Sequence, residues 1–200
     1  MIEEDEEWES IYRDHSLEEI PWHEDEPDLS LVTLLKNKNI KVGVALDVCS
    51  GAGTNSIYLA KKGFDVTGID ISETATKIAE QRTEKAGVSK SCKFYSGDIL
   101  KIELPKNKFN FVFDRGCYHH ISKEDKPRFA KIINDYLKKG GKYYLICFSD
   151  KNPPWEKNVT KDEIRQNFGP YFEIGEIKNI PTREKTGRLL HFYHTIMNKK

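Results

Sequence analysis
Net charge is the first thing the chain lacks: 32 acidic side chains face 32 basic ones over 200 residues. A surface balanced in this way has no single-signed field with which to gather nucleic acid or an anionic membrane, so a generic polyanion partner is disfavoured. A paired-thiol motif is missing too. The four cysteines, Cys49, Cys92, Cys117 and Cys147, form no C-x-x-C and fall on or beside predicted strands, which reads as reduced, packed thiols in a reducing compartment. His119 and His120 beside Cys117 are too thin a donor set for a metal, and none is expected. No apolar run approaches the length of a membrane span, and the N-terminus opens on acids where a secretory leader would be basic and then apolar. The expectation is a cytoplasmic protein with no membrane partner.

A further absence decides the ligand. Val44 to Asn55 reads as a strand, a tight turn at Gly51 and Gly53, and the start of a helix, answered by a second strand that ends on Asp70. That is half of a nucleotide-binding βαβ unit. Asp70 lies seventeen positions after Gly53, room for one helix and one returning strand, and a carboxylate there can accept both hydrogens of a ribose diol. A dinucleotide fingerprint needs a third glycine, but Ser56 holds that position. Asp47, at the end of the first strand, would repel a pyrophosphate and favour a cation. S-adenosylmethionine carries a ribose, a sulfonium and an ammonium but no phosphate, so it suits Asp47 and Asp70 together.

The rest of the chain alternates strands and helices. Trp8, Ile11 and Tyr12 fall at helical spacing inside an acidic segment, Pro21 and Pro27 bracket an extended stretch, and Leu29 to Leu35 gives a second helix. Residues 1–40 are expected to form a helical N-terminal extension, and residues 41–200 a Rossmann-like domain. Helix Glu73 to Ala86 is opened by Ser72 and stopped by Gly87. Strands are expected at Cys92 to Ser96, Phe109 to Asp114 and Lys142 to Phe148, with helix Glu124 to Leu137 ending before Gly140-Gly141. In the tail, Tyr171 to Ile180 and Leu189 to Met197 have no helix between them and should pair antiparallel. Ligands of open parallel sheets lie across the carboxyl ends of the strands. That rule adds Ile71, Gly97-Asp98-Ile99 and Asp114-Arg115 to the turn residues, with Asp98 accepting from an adenine amine and Ile71 and Ile99 sandwiching the ring.

The turn Asp47-Val48-Cys49-Ser50-Gly51-Ala52-Gly53 resembles the first motif of class I methyltransferases. The flanks Glu6-Glu7-Trp8, Pro21-Trp22-His23, Asp114-Arg115-Gly116 and Cys147-Phe148-Ser149-Asp150, followed by Pro153-Pro154 and Val159-Thr160, resemble the thiopurine S-methyltransferase, tellurite-resistance and thiol or halide methyltransferase group. The resemblance implies a Rossmann-like, mostly parallel seven-stranded sheet of order 3-2-1-4-5-7-6 with an antiparallel last strand. It implies S-adenosylmethionine as cofactor, held by Trp22, Asp47, Cys49, Gly51, Gly53, Asn55, Asp70, Ile71, Gly97, Asp98, Ile99, Asp114 and Arg115. In that group the segment before the first strand folds over the cofactor, which makes Trp22 a lid residue offering cation–π attraction to a sulfonium. Ordinary packing of Trp22 against the sheet is the alternative.

Methyl transfer asks for alignment behind the methyl and exclusion of water. A thiolate acceptor needs no strong base. For a protonated acceptor, His119, Tyr118 or His120 could take the proton, and Arg115 could hold Asp114 against the methionyl ammonium. Arg183 and Arg188 could meet an anionic acceptor. The run Asn152-Pro153-Pro154-Trp155 looks like the amine-gripping signature of adenine and glutamine N-methyltransferases, but it follows the fifth strand where that signature follows the fourth. A small-molecule acceptor, a thiol or other soft nucleophile, is therefore expected, with no nucleic acid. An N-methyltransferase, a nicotinamide-dependent oxidoreductase and a catalytically silent cofactor binder are the alternatives.

Overall fold
The computed structural model describes residues 2–37, 40–155 and 157–200. They fall into two compact units, residues 1–102 and 103–200. Three residues of the expected lid, at positions 1, 38 and 39, lie outside the described residues.

The first unit runs α1 (Ile2–Asp14), α2 (Leu29–Lys36), β1 (Val44–Val48), α3 (Thr54–Lys61), β2 (Asp65–Asp70), α4 (Glu73–Lys85) and β3 (Cys92–Ser96). The strands are parallel in the order β3-β2-β1, with Val44 opposite Asp65 and Val66 opposite Cys92. Ala45, Leu46 and Val48 of β1 and Val66 and Ile69 of β2 are all buried, as expected of parallel strands covered on both faces. The Ser72 hydroxyl caps α4 by accepting from the Ala75 amide at 3.0 Å, and Gly87, at φ +71°, follows its end. Beneath the turn, the Phe94 ring leaves no space for side chains: a Cβ on Gly68 would overlap it, and one on Gly53 would meet it at 2.8 Å.

The second unit runs β4 (Phe109–Arg115), a 3₁₀ turn (Tyr118–His120), α5 (Lys126–Tyr136), β5 (Leu137–Phe148), α6 (Lys161–Phe168), β6 (Phe172–Ile174), β7 (Lys178–Arg183) and β8 (Leu189–Lys199). Here the order is β4-β5-β8-β6, with β7 also on β8; β5 is parallel to β4 and β8 antiparallel to β5. The fold is Rossmann-like α/β. Tyr118, Phe129, Tyr143, Phe168 and Phe172 stack through its core with ring centroids 5.0–6.1 Å apart.

Three expectations are corrected. The expected strand Tyr171 to Ile180 is two strands, so the described residues hold eight strands where seven were expected. β6 and β7 follow one another along the same edge of β8, and the break falls at Gly175, where a Cβ would meet the Ile196 carbonyl oxygen at 2.8 Å. Close backbone approach, which only glycine permits, interrupts the ladder. Second, β5 begins at Leu137, directly after α5, and Gly140-Gly141 lie within the strand. The register against β4 shifts between Phe109 and Phe111, and a Cβ on Gly141 would meet the Lys138 carbonyl at 2.8 Å, so these glycines serve a β-bulge. Third, Cys49 and Cys117 are disulfide-bonded, whereas Cys92 and Cys147 are free and buried. No local motif marks either bonded cysteine. Among the described residues, no helix is long and apolar enough to cross a membrane.

Candidate functional site
After β1 the backbone enters the left-handed region at Cys49 and Gly51, both at φ +51°, and again at Gly53, φ +79°. Cys49 holds this conformation without glycine's freedom, a strained backbone of the kind that collects at ligand sites. Asp47 is buried within β1 and its Oδ2 accepts from the Ser56 hydroxyl at 2.6 Å. Ser56 therefore does not fail as a third glycine; it is the hydrogen-bond partner that holds the acid in place. Asp70 ends β2, with Oδ2 accepting from the Gly51 amide at 2.7 Å and Oδ1 from the Ser72 amide at 3.0 Å. The acid and the glycine turn are thus one bonded structure.

Neighbouring strand ends complete the cluster. The Gly97 amide donates to the Asp70 carbonyl at 2.9 Å, Ile99 is buried and Ile71 half-buried. Asp98 Oδ1 accepts from the Leu100 amide at 2.8 Å and its Oδ2 pairs with Lys101 at 3.0 Å. The first unit therefore brings Asp47, Gly51, Gly53, Asp70, Ile71, Gly97, Asp98 and Ile99 to the carboxyl ends of three adjacent strands. Their chemistry, two acids and a glycine turn, fits a ribose and a cationic chain. Asn55, at the start of α3, also bonds the N-terminal segment. Its Oδ1 accepts from the Asp28 amide at 2.9 Å and ties that segment to α3. Trp22 is 37% exposed, packs edge-on to Trp8 at 5.2 Å and donates to the Tyr12 hydroxyl at 3.3 Å.

In the second unit Asp114 is fully buried near the end of β4. Its oxygens accept from the Tyr143 hydroxyl at 2.7 Å and the Cys117 amide at 2.8 Å, fixing the entry to the 3₁₀ turn. Arg115, the last residue of β4, is half-buried. Tyr118 accepts from Asn167 at 2.8 Å and donates to Glu163 at 3.4 Å, and burial raises its phenol pKa. His119 is buried between Phe148 and His120, and its Nδ1 accepts from the Phe148 amide at 3.1 Å. In the neutral ring the proton then sits on Nε2. Burial first, and then the charges of His120 and Lys126, hold its pKa well below the usual 6.5.

Asn152 of the Asn-Pro-Pro-Trp run donates to the Ser149 and His191 carbonyls at 2.9 and 2.8 Å and accepts from the His191 amide at 2.7 Å. It bridges two strand ends, and those contacts occupy the polar groups that gripping an amine would require. Arg183 spends a guanidinium nitrogen on the Gly187 carbonyl of its own hairpin.

These buried groups set the pH response of folding. Burial pushes the carboxyl of Asp70 up to about 6 and that of Asp114 up to about 7, against the opposing pull of their amide and hydroxyl donors. Between about pH 4 and 7 the folded protein holds protons that the unfolded chain has released, so acidification through that window stabilises. His119 acts oppositely, because below about pH 6.5 the unfolded chain takes a proton the folded ring refuses. At ~1.4 kcal/mol for each pH unit between folded and unfolded pKa, the carboxyls outweigh the imidazole. Unfolding free energy from urea melts is expected to rise by about 1 kcal/mol from pH 7.5 to 5.5. In Asp114→Asn the sign should reverse, because His119 then outweighs Asp70.

Comparison with known proteins agrees with this geometry. A family model described as a methyltransferase domain matches residues 45–141, from β1 to the bulge of β5. An uncharacterized methyltransferase of Schizosaccharomyces pombe is 32% identical over 109 residues, covering 54% of this chain and 72% of its own length. Phosphoethanolamine N-methyltransferase 1 of Arabidopsis thaliana is 35% identical over 127 residues, 61% of this chain but 25% of that protein. A structure solved in work on the conversion of a disulfide bond into a thioacetal group during echinomycin biosynthesis superposes with a TM-score of 0.86 at 22% identity, over 98% of this chain and 92% of that one, a likeness of fold. The chain spans 59%, 25% and 66% of three curated relatives. These matches resolve the broad family and not the thiopurine S-methyltransferase group that the flanks resemble. With the Schizosaccharomyces pombe relative 32% identical and covered over 72% of its length, and with this acid-flanked glycine turn, the chain belongs to the class I S-adenosylmethionine-dependent methyltransferases.

Proposed function
We propose that the chain transfers the methyl group of S-adenosylmethionine to a small, soft nucleophile, with sulfur the favoured acceptor, by direct in-line displacement, in keeping with the thiol-methylating group its flanks resemble. The observation that carries this reading is the state of His119 and Tyr118, two of the three candidate proton acceptors beside β4. The lone pair of His119 Nδ1 is committed to the Phe148 amide, its Nε2 bears the proton, and Tyr118 is held by Asn167 and Glu163. On this reading His119 serves as a hydrogen-bond donor and not as a base, and Tyr118 supports the 3₁₀ turn. A thiol that ionises by itself needs no base, whereas an ammonium or an alcohol does.

S-adenosylmethionine supplies the electrophilic methyl and a neutral thioether leaving group. The chain's own work is to hold the ribose at Asp70, neutralise the cationic chain with the Asp47 charge, and keep water out under the N-terminal segment, where Trp22 serves as a lid residue. Asp98, Ile71 and Ile99 receive the adenine.

Labelled S-adenosylmethionine offered with thiols, selenite, halides and amines tests the reading. Thiols are expected to give the product, and with two thiols of different acidity the alkaline rise in kcat/KM should move with the pKa of the thiol. Methylation confined to amines such as phosphoethanolamine would overturn the sulfur assignment. A profile fixed at one pH for both thiols would overturn the absence of an enzymic base. Binding of the cofactor with no product from any acceptor would favour the silent binder, and binding of a nicotinamide in its place the oxidoreductase.

A further inference from the structure
Tyr12 belongs to none of the positions that the glycine turn and the strand ends identify, yet it reaches the same place. It sits on α1, is 7% exposed, and packs with Ile20, Ala52 and Ala75. Its hydroxyl lies where a side chain on Gly51 would begin, 2.6 Å from an ideal Cβ. Glycine at position 51 is thus required by the phenol above it as well as by the backbone angle. The oxygen accepts from Trp22 Nε1 at 3.3 Å, and the charge of Asp70 is close enough to help burial raise the phenol pKa. A phenol is both donor and acceptor, and here the accepting side is used by Trp22.

One turn before Tyr12, Glu9 fixes the helix in place. Its carboxylate accepts from the Ser72 hydroxyl at 2.6 Å, from the Thr74 amide at 3.1 Å and from the Thr74 hydroxyl, at the N-terminus of α4. Ser72 in turn gives its amide to Asp70. A chain of bonds therefore runs from α1 through the cap of α4 to the ribose acid, and the same helix face delivers the phenol to the turn.

We propose that Tyr12 is a cofactor-binding residue: its hydroxyl donates to an oxygen of the ribose or methionyl carboxylate of S-adenosylmethionine, and the Glu9 latch on α4 holds it there. This rests on the cofactor assignment above. It adds that the product S-adenosylhomocysteine, which keeps those oxygens, is bound through the same contact. Exchange of cofactor for product then requires α1 to leave α4.

Calorimetry with S-adenosylhomocysteine, paired with melting of the free protein, tests the proposal. Tyr12→Phe keeps the ring and removes the donor, so the Kd for both S-adenosylmethionine and S-adenosylhomocysteine should rise about tenfold with little change in melting temperature. Glu9→Gln should speed both arms of binding in stopped-flow records of the Trp8 and Trp22 fluorescence, because the lid is released more often. A Kd within twofold of the parent in Tyr12→Phe, or an equal loss of melting temperature with unchanged Kd, would overturn the contact and leave Tyr12 as packing. Failure of the unsubstituted protein to bind either compound would overturn the cofactor assignment itself.

Discussion

Asp70→Ala is expected to weaken S-adenosylmethionine binding by about 2–4 kcal/mol, roughly 30- to 1000-fold, through loss of two charge-assisted hydrogen bonds to a ribose diol. The apo protein should hardly notice. Asp70 also accepts from the Gly51 and Ser72 amides, and losing those bonds destabilises the turn. Against that stands the cost of keeping a buried carboxylate ionised at neutral pH, which its pKa of about 6 reports. That value is already net of the two amides, so Asp70→Ala removes the burial cost and leaves only two amides to find other partners, and melting of the cofactor-free variant should stay close to the parent. The pH dependence separates the roles further. A protonated Asp70 cannot accept from both hydroxyls, so parent affinity should fall as pH drops from 7.5 through about 6 to 5, while Asp70→Ala should stay nearly flat over the same range. An affinity unchanged in Asp70→Ala would remove Asp70 from the site.

Most of the cluster at the first unit's strand ends was legible because its signals are local. Glycines that need positive φ, an acid at a strand end and a cap residue before a helix are each set by one or two neighbours in sequence. Gly51, Gly53, Asp70 and Ser72 could accordingly be placed from their letters. What they do there was less visible. Gly53 is obliged by the Phe94 ring and Ala79 methyl beneath it as much as by any ligand above, and Ser56 is the partner of Asp47. Contacts that join distant segments leave no such trace. Tyr12 showed only as one of three residues at helical spacing, and its placement over Gly51, thirty-nine positions away, depends on how α1 docks. The break at Gly175 likewise needs the Ile196 carbonyl, twenty-one residues on, to explain it. For His119 the residue type suggested a base. The lone pair that a base needs is spent on a backbone amide twenty-nine positions further along.

Glu163→Leu carries the largest expected effect on folding, and its target was not visible in the sequence at all. Lys126, the first residue of α5, has a side chain only 3% exposed, with Nζ 2.6 Å from Glu163 Oε1 and 4.9 Å from the centre of the Tyr118 ring. An ammonium this deep is tolerable only while its counter-charge is present. Removing Glu163 strands it. The cost of breaking a buried pair is about 3–5 kcal/mol when both partners are sealed off; Glu163 is 23% exposed, so solvent relieves part of it, and a loss of about 2–3 kcal/mol is expected. For a chain of this size that lowers the melting temperature by roughly 4–12 °C. The companion variant Lys126→Met with Glu163→Leu replaces both charges by apolar groups and should recover most of the loss, since neither is left unpaired. A double variant no more stable than Glu163→Leu alone would show that the pair acts through packing and not through charge. The same variants report on the site, because Glu163 also accepts from Tyr118, which begins the turn that carries His119. On the proposed reading, loosening that turn should raise KM for the acceptor and leave the affinity for S-adenosylhomocysteine unchanged.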